Sequence, residues 1–246
     1  MEMKYGLILL TLLFFSPLTV QAQKGDLFKK LDKAKKELLG EDSGGLDIGG
    51  GLKEALEVGV GDAVESLSKT NGYLESPYKI LIPEEAQAIV NKLKMVPGFQ
   101  DIETKLTNQM NAAAELAAKK ATPIFVGAIK QMTFKDATNI LMGEQDAATR
   151  YLETTTRPSL YNEFLPVIQT ALDEVGAREY WSSATNAYNK LPFVKKLNPS
   201  LDDHVNNEGL DGLFGLIEVK EQKIRTDVGT RTSPRLKEVF AKQDQR

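Results

Sequence analysis

The chain has 246 residues, with 31 Lys and Arg against 34 Asp and Glu, one His, one Trp and no Cys. A formal net charge of −3 excludes a generally basic nucleic-acid binder, which needs surplus cations to neutralise phosphates. A 26% share of charged residues beside 41% hydrophobic ones excludes a mostly disordered chain, and the missing Cys removes disulfides, thiol nucleophiles and thiolate-bound metals.

The first expected element is an export signal. Tyr5 to Val20 is an apolar run behind Lys4, and Val20 with Ala22 gives the small-residue pattern that precedes a cleavage point, expected after Ala22. The run is shorter than the roughly 20 residues that a bilayer crossing takes, and Pro17 interrupts it, so 1–22 reads as a signal peptide with no transmembrane anchor after cleavage. Residues 23–51 follow as a Lys-rich helix and a linker. Lys24 to Leu39 carries only a thin apolar stripe of Phe28, Leu31 and Leu38. From Gly40 to Gly51 the glycines at 44, 45, 49, 50 and 51 favour a flexible linker, because each costs a helix about 1 kcal/mol.

Residues 52–246 are expected to form one all-α domain, a multi-helix bundle. Leu52, Ala55, Leu56, Val60, Ala63, Val64 and Leu67 recur at the three-and-four spacing of one helix face, and Asn71 with Gly72 closes that helix. Pro83, Glu84 and Glu85 open a second helix with Ile89, Val90, Leu93 and Val96 inward, stopped by Pro97 and Gly98. A third runs from about Phe99 through Leu106, Met110, Ala113 and Ala117 to Ala121, where Thr122 and Pro123 restart or kink it. Thr133 caps a shorter helix ended by Gly143. Asp146 is the expected N-cap of a helix over Asp146 to Thr156, and a separate helix is expected after Arg157 and Pro158, with Pro166 bending it and Val175 inward. Ala177, Trp181, Ala184, Tyr188 and Leu191 make the next stripe. Ser200 with Asp203 resembles a cap before the long helix carrying Leu210, Leu213, Phe214, Ile217 and Ile224, and Ser233 with Pro234 begins a last short helix ending near Phe240.

Signatures of named hydrolases, metalloproteases and nucleotide binders are missing, and no strand precedes the glycine run at 44–51 to make it a phosphate cradle. His204 shares a helix face with Glu208, beside Asp202 and Asp203, yet one His among scattered acids specifies a metal site poorly, so no metal and no cofactor is expected. Glu221 and Arg225 lie one turn apart and read first as a surface ion pair worth a few tenths of a kcal/mol, and second as a ligand-binding arginine. The residues singled out for ligand binding are Asp146, Arg150, Tyr151, Asp211, Glu221 and Arg225, on the condition that folding brings them together.

Several strings in fixed order carry a resemblance: GLKEAL at Gly51 to Leu56, NGY at Asn71 to Tyr73, DAAT at Asp146 to Thr149, SLYNEFLP at Ser159 to Pro166, LDGLF at Leu210 to Phe214, KIR at Lys223 to Arg225 and VF at Val239 and Phe240. Together with Ile82 and Pro83 they resemble an uncharacterised bacterial family, the domain of unknown function four-one-nine-seven. The resemblance implies an exported, periplasmic protein of Gram-negative bacteria with an all-α domain, and no activity. Where that family more often has an aromatic residue such as Tyr, this chain has His204, which favours ring packing over metal ligation.

Two functions of different class follow. The first is a non-catalytic envelope module that binds a partner protein or an apolar ligand between its helices. The second is a hydrolase-like enzyme working through carboxylates and Arg. A third expectation is association of the Lys24 to Lys36 segment with a membrane surface.

Overall fold

The structure, a computed structural model, describes residues 48–244 apart from 96, 98, 99 and 242. The signal peptide, its cleavage after Ala22, the Lys24 to Leu39 helix and the linker up to residue 47 lie outside the described residues, as do Val96, Gly98 and Phe99. Among the described residues there are nine α-helices and no strand, as the periodicity predicts. They are α1 (Ile48–Ser68), α2 (Gln87–Leu93), α3 (Ile102–Ala118), α4 (Ala121–Gln131), α5 (Phe134–Leu141), α6 (Ala147–Asp173), α7 (Ala177–Asn189), α8 (Leu201–Thr226) and α9 (Pro234–Ala241).

The first helix begins before Leu52, so the glycines at 49, 50 and 51 are helical rather than linker. Tertiary packing overrides their weak propensity: a side chain at Gly51 would collide with Val239 of α9, so the missing Cβ is what lets the two helices meet. The α1 stripe from Leu52 to Leu67 is buried, and Asn71 stops the chain in the left-handed region at φ 61°.

The segment after α1 runs through successive turns over 69–78 and an irregular stretch over 79–83, and is held by polar side chains of α3. Glu115 accepts from the backbone N–H of Asn71 and Tyr73 at 3.1 and 3.3 Å. Asn111, fully buried, brackets Ile80 by accepting from its N–H at 2.9 Å and donating to its carbonyl at 2.8 Å. Ile80 and Ile82 are thereby buried while Leu81 between them is exposed, as in a strand edge. A short 3-10 turn at Glu84–Ala86 then leads into α2, where the sequence predicts a helix opened by Pro83. The kink expected near Thr122 and Pro123 is a break at Lys119 and Lys120. Thr133 closes a capping box with Asp136, their side chains each bonding the other's backbone N–H at 3.2 and 3.0 Å.

Two expectations fail at α6. It is one helix of 27 residues, running through both Pro158 and Pro166 instead of starting afresh after Pro158. An interior proline costs a helix about 3 kcal/mol, but Leu152, Thr156, Leu160, Phe164, Ile168 and Leu172 form one unbroken buried stripe, and both prolines face solvent. Val175 and Leu191, predicted inward, fall just beyond the ends of α6 and α7 and are half exposed, at 50% and 49%.

The core is built where α6 and α8 pack along one another, with α3 against both and α1 against α8. Phe125 of α4 meets Phe214 of α8 edge to face at 5.8 Å. On α8, Gly212 faces Tyr73 and Tyr78, and Gly215 faces Tyr78; Tyr73 is wholly buried and donates its hydroxyl to the Gly209 carbonyl at 2.7 Å.

A Cβ at Gly212 would lie 3.0 Å from both tyrosines, whereas one at Gly127 in α4 meets nothing within 4 Å. Gly212→Ala is therefore expected to lower the urea-unfolding free energy by about 1–3 kcal/mol, and Gly127→Ala to raise it by roughly 0.5–1 kcal/mol.

Candidate functional site

Folding converts the Glu221–Arg225 pair from the expected surface contact into a buried one, with side-chain exposures of 7% and 1%. The reason is the landing point of α6. Glu221 Oε1 accepts from the N–H of Ala148 at 2.9 Å, and Oε2 from the N–H and hydroxyl of Thr149, both at 2.8 Å. Arg225 donates Nε and Nη2 to the same carboxylate at 2.9 and 2.7 Å, and bonds the carbonyls of Ile140 and Leu141 at 2.8 and 3.3 Å. Glu221 thus caps α6 in place of Asp146, whose side chain makes no cap bond. With five hydrogen bonds on two oxygens, the carboxylate has its acceptor sites filled by protein donors.

The remaining residues singled out from the sequence spread outward from this pair. Asp146 bonds Arg150 at 2.9 Å, and that bond holds its carboxyl below the usual range. Arg150 is exposed and also meets Glu153 and Glu218. Tyr151 is half-buried, its hydroxyl pushed up first by burial and then by Asp136. Asp211 is separate: it is exposed and pairs with Arg157 at 2.6 Å. The apolar cavity beside Glu221, between α1, α8 and Phe240, has about 20 Å³ inside, room for roughly one water.

A second buried guanidinium follows. Arg231 bonds the Ile224 and Arg225 carbonyls at 2.9 and 3.0 Å, covering the C-terminal end of α8. Its outer edge is a bidentate pair with Asp244 at 2.5 and 2.8 Å, which holds that carboxyl low.

A roomier concavity lies elsewhere. About 290 Å³ opens between α7, the connection after it and the first turns of α8. Pro83, Trp181 and Leu197 are its apolar walls; Lys196, Asn198, Asp203, His204 and Asn207 are its polar groups. It gathers the chain's single His and single Trp.

All of its polar groups except Lys196 are fixed by protein partners. Asn189 of α7 bonds both backbone groups of Leu197, at 2.8 and 2.9 Å, which sets the course of the connection. The Trp181 indole donates to the Asn198 carbonyl at 3.2 Å. Asp203 accepts from the Tyr161 hydroxyl at 2.6 Å and from the amides of Asn198 and Asn207, each at 3.1 Å; its bond to Tyr161 pushes that phenol up to about 12. The Ser200–Asp203 cap predicted from sequence is absent, because Ser200 makes no side-chain cap bond and Asp203 turns to Tyr161 instead.

His204 Nε2 sits 2.9 Å from the Leu81 carbonyl, which only accepts, so Nε2 carries the proton and a neutral ring leaves Nδ1 as a bare acceptor. The alternative in which His204 and Glu208 shared a metal loses its most usual ligand atom to Leu81, and among the described residues no group of three or more His, Cys, Asp or Glu is placed to hold an ion. Sequence periodicity assigned Trp181 to the core and passed over Lys196, Asn198 and Asn207. Its one usable signal was Asn198 and Pro199 ahead of Ser200, a turn that folds the connection back on the start of α8.

No helix of the described residues is long and apolar enough to cross a membrane. The model of the family described as "Protein of unknown function (DUF4197)" matches residues 43–241, a span that contains every string on which the resemblance rests. No curated protein and no solved structure matches the chain.

Because Arg225 is buried, Glu221→Gln leaves an uncompensated charge inside the fold, and a loss of about 3–5 kcal/mol is expected in urea unfolding. Glu221→Gln with Arg225→Met should recover part of that loss. For Asp244, whose folded pKa is depressed, the contribution to stability is present above the unfolded value of about 3.9 and disappears as pH falls through the lower folded one. Thermal scans between pH 5 and 2 should therefore show a shallower decline for Asp244→Asn than for the parent.

Proposed function

We propose a binding role for this chain, which belongs to the DUF4197 family of proteins of unknown function: an exported, periplasmic, non-catalytic module that holds a small ligand in the cleft between Trp181 and His204. One observation carries the reading. His204 and Asn207 are each fixed by a protein partner on one side and leave Nδ1 and the side-chain carbonyl oxygen without one among the described residues, and the exposed Lys196 ammonium at the rim has none either. Groups so fixed in advance lower the ordering cost of binding.

Among the cleft's lining residues there is no hydroxyl and no thiol to serve as a nucleophile beside His204, which favours holding a ligand over acyl transfer. The carboxylate–Arg enzyme loses its strongest pair to the capping of α6, since the Glu221 acceptor sites are already filled. An apolar ligand finds its best place in a different cleft, about 380 Å³ lined by Ile102, Leu106, Val175 and Ala177 between the start of α3 and the corner joining α6 to α7. Export is supported by the apolar run Tyr5 to Val20 behind Lys4.

Trp181 is the only tryptophan, so its fluorescence reports on the cleft directly. Screening the purified protein against a library of small metabolites should find compounds that shift its emission, with the shift lost in Asn207→Leu. A library that leaves the emission unmoved would count against the reading. Fractionation is expected to place a form lacking 1–22 in the periplasm, and full-length chain in the cytosol would remove the export part.

A further inference from the structure

The geometry points to a zwitterion as the occupant of the Trp181–His204 cleft: a small molecule with an ammonium and a carboxylate near each other and an aliphatic remainder, as in a free amino acid. The inference rests on the binding role proposed above and adds the chemical class.

It follows from an account of unused valences. Both amide hydrogens of Asn207 are spent on Asp203, on its backbone oxygen at 3.0 Å and its carboxylate at 3.1 Å, so only the Asn207 carbonyl oxygen is left and it can only accept. His204, with its proton committed to Leu81, also offers an acceptor. Asp203 is an anion whose three protein donors leave it lone-pair capacity. These three residues share the first turns of α8, and together they present acceptors and a negative charge, the environment that an ammonium needs.

Lys196 supplies the opposite. It belongs to the connection rather than to α8, has no ion-pair partner among the described residues, and brings three donors and a positive charge, which suit a carboxylate. A simple anion would suffer from Asp203 and a simple cation from Lys196, whereas a ligand with both charges is favoured by each. Pro83, Trp181 and Leu197 leave apolar wall for a hydrocarbon side chain. A volume of about 290 Å³ lies at the lower edge of ordinary ligand pockets, which limits the occupant to roughly the size of an amino acid.

The test uses leucine and its two halves. The full-length purified protein is titrated with L-leucine, 4-methylpentanoate (no ammonium), 3-methylbutylamine (no carboxylate) and glucose (an uncharged polyol), reading Trp181 fluorescence and heat. L-leucine should bind saturably and at least about tenfold more tightly than the other three. Lys196→Met, an exposed position, should abolish the preference of leucine over 3-methylbutylamine; Asp203→Asn should abolish that over 4-methylpentanoate, with unaltered melting of each variant confirming its fold. Equal binding of leucine and either half, or binding of glucose alone, overturns the zwitterion and leaves the binding role standing. If none of the four binds while the metabolite library yields a cleft ligand of another class, the zwitterion again falls alone. Silence from both sets removes both readings.

Discussion

A buried carboxylate and the guanidinium one turn beyond it decide how this bundle is joined. Helix ends leave backbone groups without partners, and a turn between two helices leaves both kinds side by side: carbonyls at the end of α5, N–H groups at the start of α6. Glu221 takes the N–H groups and Arg225 takes the carbonyls. Each charge therefore stands at the helix end whose dipole it complements, and each neutralises the other. A buried pair of this kind is weak support for raw stability but strong for uniqueness of arrangement, since no shifted register of α8 satisfies the same four backbone groups. Arg231 repeats the device at the end of α8 itself.

The cleft depends on a different clamp. His204 is oriented by the Leu81 carbonyl, Leu81 lies between the buried Ile80 and Ile82, and Ile80 is gripped by Asn111 of α3. The chain of dependence runs from α3 through an irregular segment to α8, so the orientation of the His204 ring is set by an amide that does not line the cleft. Asp203 is held in the same way from α6, through Tyr161. Both anchors come from the rigid centre of the bundle, which keeps a site built partly on a connecting loop in one geometry.

What was legible in the sequence were features encoded within a few residues. The buried stripes of α1, α3 and α8 follow from spacing, Asn71 stops α1, and Thr133 caps α5, because in each case the deciding partners are neighbours along the chain. The misreadings share the opposite property. Pro158 looked like a boundary, but its cost is outweighed by a stripe extending on both sides of it. Asp146 looked like a cap, but the cap is Glu221, more than seventy positions away in sequence. Trp181 read correctly as buried, and nothing local disclosed that the connection after α7 folds back to meet it. The cleft is assembled from segments that periodicity treats separately, so its residues were visible one by one but not as a group.

The glycines of α8 impose a further constraint, on how the family's sequences can change. Gly212 and Gly215 cede their side-chain volume to Tyr73 and Tyr78, across more than 130 positions of chain. Neither half of that exchange is free to drift alone: a methyl group gained on the helix demands a smaller ring in the loop, and a ring lost from the loop opens a void that the helix backbone cannot fill. Members of the family should accordingly vary at these positions in pairs, trading bulk between the two segments.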